Sequence, residues 1–180
     1  MELKLLNKTF VKCHIDEIKA LYYESFPEEE RRDWCDIVDM INQNHQYYNI
    51  NVVTIDGRFA GFISWWDFGT FRYVEHFAIK EEMRGKEIGG RSIKDFLEMQ
   101  SSSVVLEVEL PSVGEIASRR IGFYTRHGFN AMTEFKYVQP PYAPNLPEVP
   151  MLLMLAANNN ETIGISEIAK QIHRYVYKKG

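Results

Sequence analysis

The chain has 180 residues, enough for one compact domain with a sizeable core and short of two full ones. Its 45% hydrophobic and 26% charged content is that of an ordinary globular protein, which excludes a disordered chain, a collagen-like fibre and a disulfide-packed mini-protein. With 21 basic against 25 acidic residues the formal net charge is -4, the wrong sign for gripping a nucleic-acid backbone, so no nucleic-acid partner is expected. No apolar run approaches the ~20 residues that cross a bilayer, and the first ten residues lack the apolar core and cleavage site of a signal peptide. The expectation is a cytoplasmic protein with no membrane partner. Cys13 and Cys35 show no CxxC spacing and are expected to be reduced, half-buried thiols without chemistry.

In chain order, residues 13–26 place Ile15, Ile18, Leu21, Tyr22 and Phe26 at helical spacing, and residues 28–43 repeat the pattern with Trp34, Ile37, Val38 and Ile41. Pro27 followed by Glu28, Glu29 and Glu30 reads as the start of the second helix, where carboxylates favour the positive end of the dipole. Residues 48–55 and 59–68 are rich in Val, Ile and aromatics around the turn Asp56-Gly57-Arg58, a hairpin signal, and residues 71–79 predict a third strand. A polar, glycine-bearing loop then leads into a helix over 88–100 with Ile93, Phe96 and Leu97 on one stripe. Residues 104–110 predict a strand, 113–127 a helix through Ile116, Ile121 and Tyr124, and 128–139 another strand. Five of the seven prolines fall in residues 140–150, which must therefore be loop. A last strand at 151–155 is followed by Asn158-Asn159-Asn160 as a linker and a helix over 163–177.

The most informative stretch is the strand-to-helix junction Lys80-Glu81-Glu82-Met83-Arg84-Gly85-Lys86-Glu87-Ile88-Gly89-Gly90-Arg91. A helix N-terminus leaves unpaired N–H groups and partial positive charge, and glycines let an anion approach the main chain. Arg84, Lys86 and Arg91 add side-chain charge there. A Walker loop would need glycine where Lys80 stands and Ser or Thr where Glu87 stands, and no G-x-G-x-x-G occurs, so neither a P-loop NTPase nor a nicotinamide enzyme is expected. By itself the loop is equally compatible with a plain basic turn.

About 35 residues later comes Phe123-Tyr124-Thr125-Arg126-His127-Gly128-Phe129, a helix ending in FY-x-x-x-GF. Taken with Arg84-Gly85-Lys86-Glu87-Ile88-Gly89 and the intervening strand, this arrangement resembles the GNAT superfamily of N-acetyltransferases over residues 3 to 155. The resemblance implies an α/β (α+β) fold with a mostly antiparallel sheet of six to seven strands flanked by helices. Residues 1–157 would form the acetyltransferase-like domain, and 158–180 a linker and an additional C-terminal helix packed on the same domain. Two positions depart from the family pattern: Glu87 occupies a glycine position of the phosphate loop, and Ala117 stands where many members carry Asn.

What the resemblance implies chemically is acetyl transfer from acetyl-CoA, as co-substrate and with no metal, to an amine of a small molecule or, as the weaker expectation, a peptide. Phe77, Ala78, Ile79, Arg84, Gly85, Lys86, Glu87, Ile88, Gly89, Gly90 and Tyr124 would contact acetyl-CoA, and Tyr124 would protonate the departing thiolate. An acceptor amine with a pKa near ~10.4 must lose a proton before it attacks. Glu75, or its neighbour His76, is the expected base; alternation along a strand would let only one of them face a given cleft. Glu107 and Glu109 are next in line. Tyr22, Phe26, Trp65 and Tyr142 would line the acceptor pocket, where an aromatic content of 13% allows cation–π contact with an amine. His14, His45, His127 and His173 are too scattered for a metal set. A homodimer is a possible assembly. The competing expectation is an acyl-CoA-sensing module of the same fold without turnover, which Glu87 and Ala117 would favour.

Overall fold

The computed structural model describes residues 2–158 and 163–179. They fall into two compact units, the first comprising Met1–Pro27, Arg32–Asp67 and Val74–Gln100, the second Glu28–Arg31, Phe68–Tyr73 and Ser101–Gly180.

In the first unit, strand β1 (Leu3–Leu6) pairs antiparallel with β2 (Tyr48–Ile55), which pairs with β3 (Arg58–Asp67) and through it with β4 (Phe71–Ile79). The expected hairpin forms around Asp56 and Gly57, both at positive φ, as a tight two-residue turn requires. Strand β1 was not expected: a four-residue strand with three apolar positions carries too little periodicity to stand out, and its partner β2 decides it. Helices α1 (Ile15–Ser25), α2 (Trp34–Asn42) and α3 (Ile88–Glu98) cover the strands. Phe62 on β3 meets Tyr22 of α1, whereas Trp65 meets Phe96 of α3, so α1 and α3 lie on opposite faces. Cover on both faces explains why seven of the eight β2 residues are buried without alternation.

The single helix expected over 28–43 is broken. Glu28–Glu30 makes a 3-10 turn, and α2 starts only at Trp34, capped by Asp33, whose Oδ1 accepts from Cys35 N at 2.7 Å. Arg32 causes the interruption: its carbonyl accepts from the Tyr22 hydroxyl at 3.0 Å and its guanidinium is drawn into a buried ion pair, so its backbone does not continue a helix. Cys13 and Cys35 are exposed, not half-buried as expected, and Asp33 beside Cys35 holds that thiol above its ordinary pKa.

In the second unit, β5 (Ser103–Glu109) pairs antiparallel with β8 (Val149–Ala156). The strand expected over 128–139 is two short ones, β6 (Asn130–Ala131) and β7 (Tyr137–Gln139), both on β8, because the chain turns at Met132, where Phe135 N donates to Met132 O at 3.1 Å. This division and β1 bring the strands among the described residues to eight, against the six or seven expected. Helix α4 (Glu115–Arg126) follows a 3-10 turn at Pro111–Val113; Ile116, placed on its apolar stripe by the sequence, is exposed. Helix α5 (Ile165–Gln171) runs on as a π-helical turn through Ile172–Val176, burying Ile168, Ile172 and Val176. Of the Asn158-Asn159-Asn160 linker, the last two lie outside the described residues; Asn158 N donates to Ser103 Oγ at 3.0 Å.

Among the described residues no helix is long and apolar enough to cross a membrane, and no group of three or more His, Cys, Asp and Glu is placed to hold a metal ion.

Candidate active site

The loop after β4 combines two left-handed residues with an uncapped helix start. A 3-10 turn at Glu81–Met83 leads to Gly85, in the left-handed region at φ +74°, and to Glu87, also left-handed at φ 60°. Residues 84–87 are exposed, and a Cβ added at Gly85 would meet nothing within 4 Å. Helix α3 then starts at Ile88 with no side chain capping it, which leaves the first-turn N–H groups open to an outside acceptor. Arg84 holds the loop through Nε, which donates to Ile79 O at 3.0 Å, and Lys86 Nζ donates to Glu82 O at 3.1 Å. Ile88 is buried and anchors the helix, while Gly89 and Gly90 are half-buried. Open main-chain N–H groups and the positive end of the helix dipole suit an anion such as a pyrophosphate. Upstream on β4, Phe77 is half-buried and Ala78 and Ile79 are buried.

Glu75 and His76 do not take opposite faces. Glu75 Oε1 accepts from Arg32 Nη2 at 2.8 Å and Nε at 3.2 Å, and its Oε2 accepts from Trp66 Nε1 at 2.8 Å. His76 Nδ1 lies 3.3 Å from Ser64 Oγ, and its ring packs edge-on against Tyr22 and Phe26. Ser64 and Trp66 are two residues apart on β3 and so share a face, which means that both β4 side chains address it. Burial pushes the Glu75 carboxyl up, but the Arg32 guanidinium, then His76 and the bonds from Trp66 and Arg32, outweigh it and hold the group below the usual carboxylate range. Both side chains of the ion pair are almost fully enclosed, at 5% and 1% exposure. Tyr22 and Tyr48 border this cluster, and burial followed by the Glu75 charge raises both phenols.

The four residues expected to line the acceptor pocket are not one wall. Tyr22 is buried against Trp34 and His76, and Phe26 is half-buried on the same cluster. Trp65 points to the other face, with Nε1 donating to Asn51 Oδ1 at 2.8 Å. Tyr142 belongs to the second unit, in a group of tyrosines around Glu107: the hydroxyls of Tyr137 and Tyr177 both donate to that carboxylate, the latter at 2.8 Å, and Tyr142 reaches the Tyr177 hydroxyl at 3.5 Å.

Tyr124 sits on α4 in the second unit. The FY-x-x-x-GF pattern has a structural cause: Gly128, at φ +90°, ends the helix in the left-handed conformation, and Phe129 folds back to pack edge-on against the Tyr124 ring at 5.5 Å. Burial raises the Tyr124 phenol to about 12, against the opposing charge of Arg120 one helical turn earlier. It is therefore protonated at neutral pH and able to donate. Arg120 is paired with Glu109. Two charged residues are hidden in the run Glu28-Glu29-Glu30-Arg31-Arg32, which reads as a helix start: Arg32, the partner of Glu75, and Glu30, whose carboxyl is raised to about 7 by burial and then by the Glu109 charge.

Comparison with known proteins agrees with this architecture. A family model for the acetyltransferase (GNAT) domain matches residues 44–131. A GNAT-family protein from Bacteroides thetaiotaomicron is 34% identical over 100% of both chains, with a TM-score of 0.88. The chain belongs to the GNAT family of acetyltransferases. The same fold recurs at 15% identity in a chimera of spermidine N-acetyltransferase SpeG from Vibrio cholerae and hSSAT (TM-score 0.63, 87% of this chain and 94% of that one). It recurs too in yncA from Salmonella typhimurium, solved with its cofactor acetyl-CoA (15% identity, TM-score 0.59, 91% and 97%). No curated protein sequence matches.

Proposed function

We propose that the protein transfers the acetyl group of acetyl-CoA to the amine of a small molecule, by direct attack with both substrates bound, and that it works in the cytoplasm. The observation that carries the proposal is the uncapped start of α3 beyond Gly85, whose open N–H groups fit the pyrophosphate of CoA. In this reading residues 84–90 hold that pyrophosphate and the β4 main chain at Phe77, Ala78 and Ile79 lies along the acyl arm. The amine nitrogen forms its bond to the acetyl carbon as the carbon–sulfur bond breaks, the electron pair leaves on sulfur, and the Tyr124 phenol supplies the proton that makes the thiol. Glu75 and His76 hold β4 in place: a carboxylate already bonded to Arg32 and Trp66 is a weak proton acceptor. Phe26, partly exposed, remains as an acceptor-facing aromatic. The excess of acidic residues favours a cationic acceptor.

The test is thiol release from acetyl-CoA over a panel of polyamines, amino acids, aminoglycosides and short peptides. Tyr124→Phe is expected to lower kcat by about 10²-fold or more while acetyl-CoA still raises the melting temperature as in the wild type. Thermal stabilisation by acetyl-CoA with no thiol released on any amine would instead identify a sensor.

A further inference from the structure

Lys80 stands at the root of the loop that precedes α3, between the end of β4 and the 3-10 turn at Glu81–Met83. Its main chain is fixed on both sides: Lys80 N donates to Ala60 O of β3 at 2.8 Å, and Lys80 O accepts from Met83 N at 2.9 Å. Its side chain turns back to a cluster in the same unit. Nζ lies 3.8 Å from Glu17 Oε1 in the first turn of α1, 4.0 Å from Glu82 Oε1 and 5.4 Å from the centre of the Phe59 ring on β3. Glu17 is held in turn: its Oε2 lies 2.7 Å from His14 Nδ1, and the His14 ring stacks on Phe59 at 5.6 Å. On the other side, the Glu82 carbonyl accepts from Lys86 Nζ at 3.1 Å. One ammonium therefore joins the start of α1 to the turn that carries Lys86.

Beyond that turn residues 84–87 are exposed, with Gly85 and Glu87 both left-handed. An exposed segment loses conformational freedom when a ligand orders it, and whatever holds its root beforehand lowers that cost. We infer that Lys80 is a positioning residue for the acetyl-CoA loop and that Glu17 is the point to which it is fastened; the inference rests on the reading that residues 84–90 receive the pyrophosphate. A cation here has a second way to act, by attracting the anion through its charge. The two roles have opposite signs at Glu17. If Lys80 acted by charge alone, removal of the Glu17 carboxylate would leave a more positive surface and tighten binding. If Lys80 holds the loop, the same removal frees the ammonium and weakens binding. The effect is small, since a pair this exposed is worth roughly 2–5-fold in an equilibrium constant.

The experiment is calorimetric titration of acetyl-CoA, with no acceptor present, into the wild type, Glu17→Gln, Lys80→Met, the double variant and Lys80→Arg. Asp16→Asn, which removes one charge from the same turn of α1, is the control. Amide hydrogen exchange over residues 81–87 is followed in the same proteins without ligand. The dissociation constant is expected to rise about 2–5-fold in Glu17→Gln and about 3–10-fold in Lys80→Met, which also loses the Phe59 contact. The double variant binds no more weakly than Lys80→Met, because both changes break one contact. Lys80→Arg and Asp16→Asn stay within about twofold of the wild type. Exchange over 81–87 speeds up in Glu17→Gln and Lys80→Met, while the melting temperature without ligand is unchanged. Glu17→Gln that binds as tightly as the wild type or more tightly, or loop exchange that stays at the wild-type rate, overturns the positioning role and leaves the transfer reading standing. No binding of acetyl-CoA by the wild type overturns both.

Discussion

Glu87 shows how much a single backbone conformation can decide. It sits at φ 60°, ψ 5°, a left-handed conformation that costs a residue bearing a Cβ about 1–2 kcal/mol and that glycine adopts freely. The pattern of the family that the sequence resembles has glycine at this position, and the left-handed turn that presents the first N–H groups of α3 gives the reason. The carboxylate also stands at the positive end of the helix, where it competes with a bound anion. Glu87→Gly is expected to bind acetyl-CoA about 2–5-fold more tightly at low ionic strength, since one helix-terminal charge is worth roughly 0.3–1 kcal/mol. Its stability should change by less than about 1 kcal/mol, because relief of the left-handed strain is offset by the greater freedom of glycine in the unfolded chain. Calorimetric titration at two salt concentrations checks the first point and urea denaturation the second. The FY-x-x-x-GF helix end and the glycine-bearing loop before α3 were legible because their motifs are local. Glu30 was not, since nothing in Pro27-Glu28-Glu29-Glu30 reveals that one of three carboxylates is partly buried with a raised pKa.

At the level of elements, boundaries were legible wherever the apolar period was long. Strands β2 and β4 begin and end where the sequence placed them, and β3 and α3 agree to within two residues. The failures share a cause in partners remote in sequence. Strand β1 exists because β2 offers an edge to pair with, and α2 starts late because Arg32 is claimed by Glu75, 43 residues away. Glycine 61 in the middle of β3 belongs to the same class: a Cβ there would lie 2.2 Å from the Ala78 carbonyl oxygen of β4. Sequence alone reads it as a weak spot in a strand, whereas the fold needs it for the close approach of two backbones. Gly61→Ala is expected to destabilise the protein by roughly 1–3 kcal/mol, the cost of overpacking, because the clash is with main chain that cannot rotate away. The measure is the urea midpoint, with an unchanged m-value showing that the loss is one of stability.

For the molecule as a whole, the C-terminal segment is the decisive piece. Ile168, Ile172 and Val176 are fully buried, and Tyr177, 5% exposed, donates to the Glu107 carboxylate alongside Tyr137. Burial followed by the Glu107 charge raises the Tyr177 phenol well above its usual range, so it stays a donor at every pH the protein meets. Truncation after Asn158 would expose three aliphatic residues' worth of core, at roughly 1.5–3 kcal/mol each, and remove one donor from a half-buried carboxylate. The expected outcome is a loss comparable with the whole stability of an ordinary domain, so that the truncated chain melts without a sharp transition in calorimetry or fails to fold. A truncated chain that kept a sharp transition near the wild-type temperature would show the segment to be an appendage. The sequence by itself determined the order of the longer elements, the glycine-bearing loop that opens α3 and the FY-x-x-x-GF helix end, because each is a matter of local periodicity or of residues within one turn. Only the tertiary structure decided which carboxylates are spent on ion pairs, that Glu75 and His76 share a face, and that burial raises the Glu30 carboxyl. Those outcomes depend on distances between residues far apart in the chain, and on burial, which sets the protonation of a carboxyl as strongly as its chemistry does.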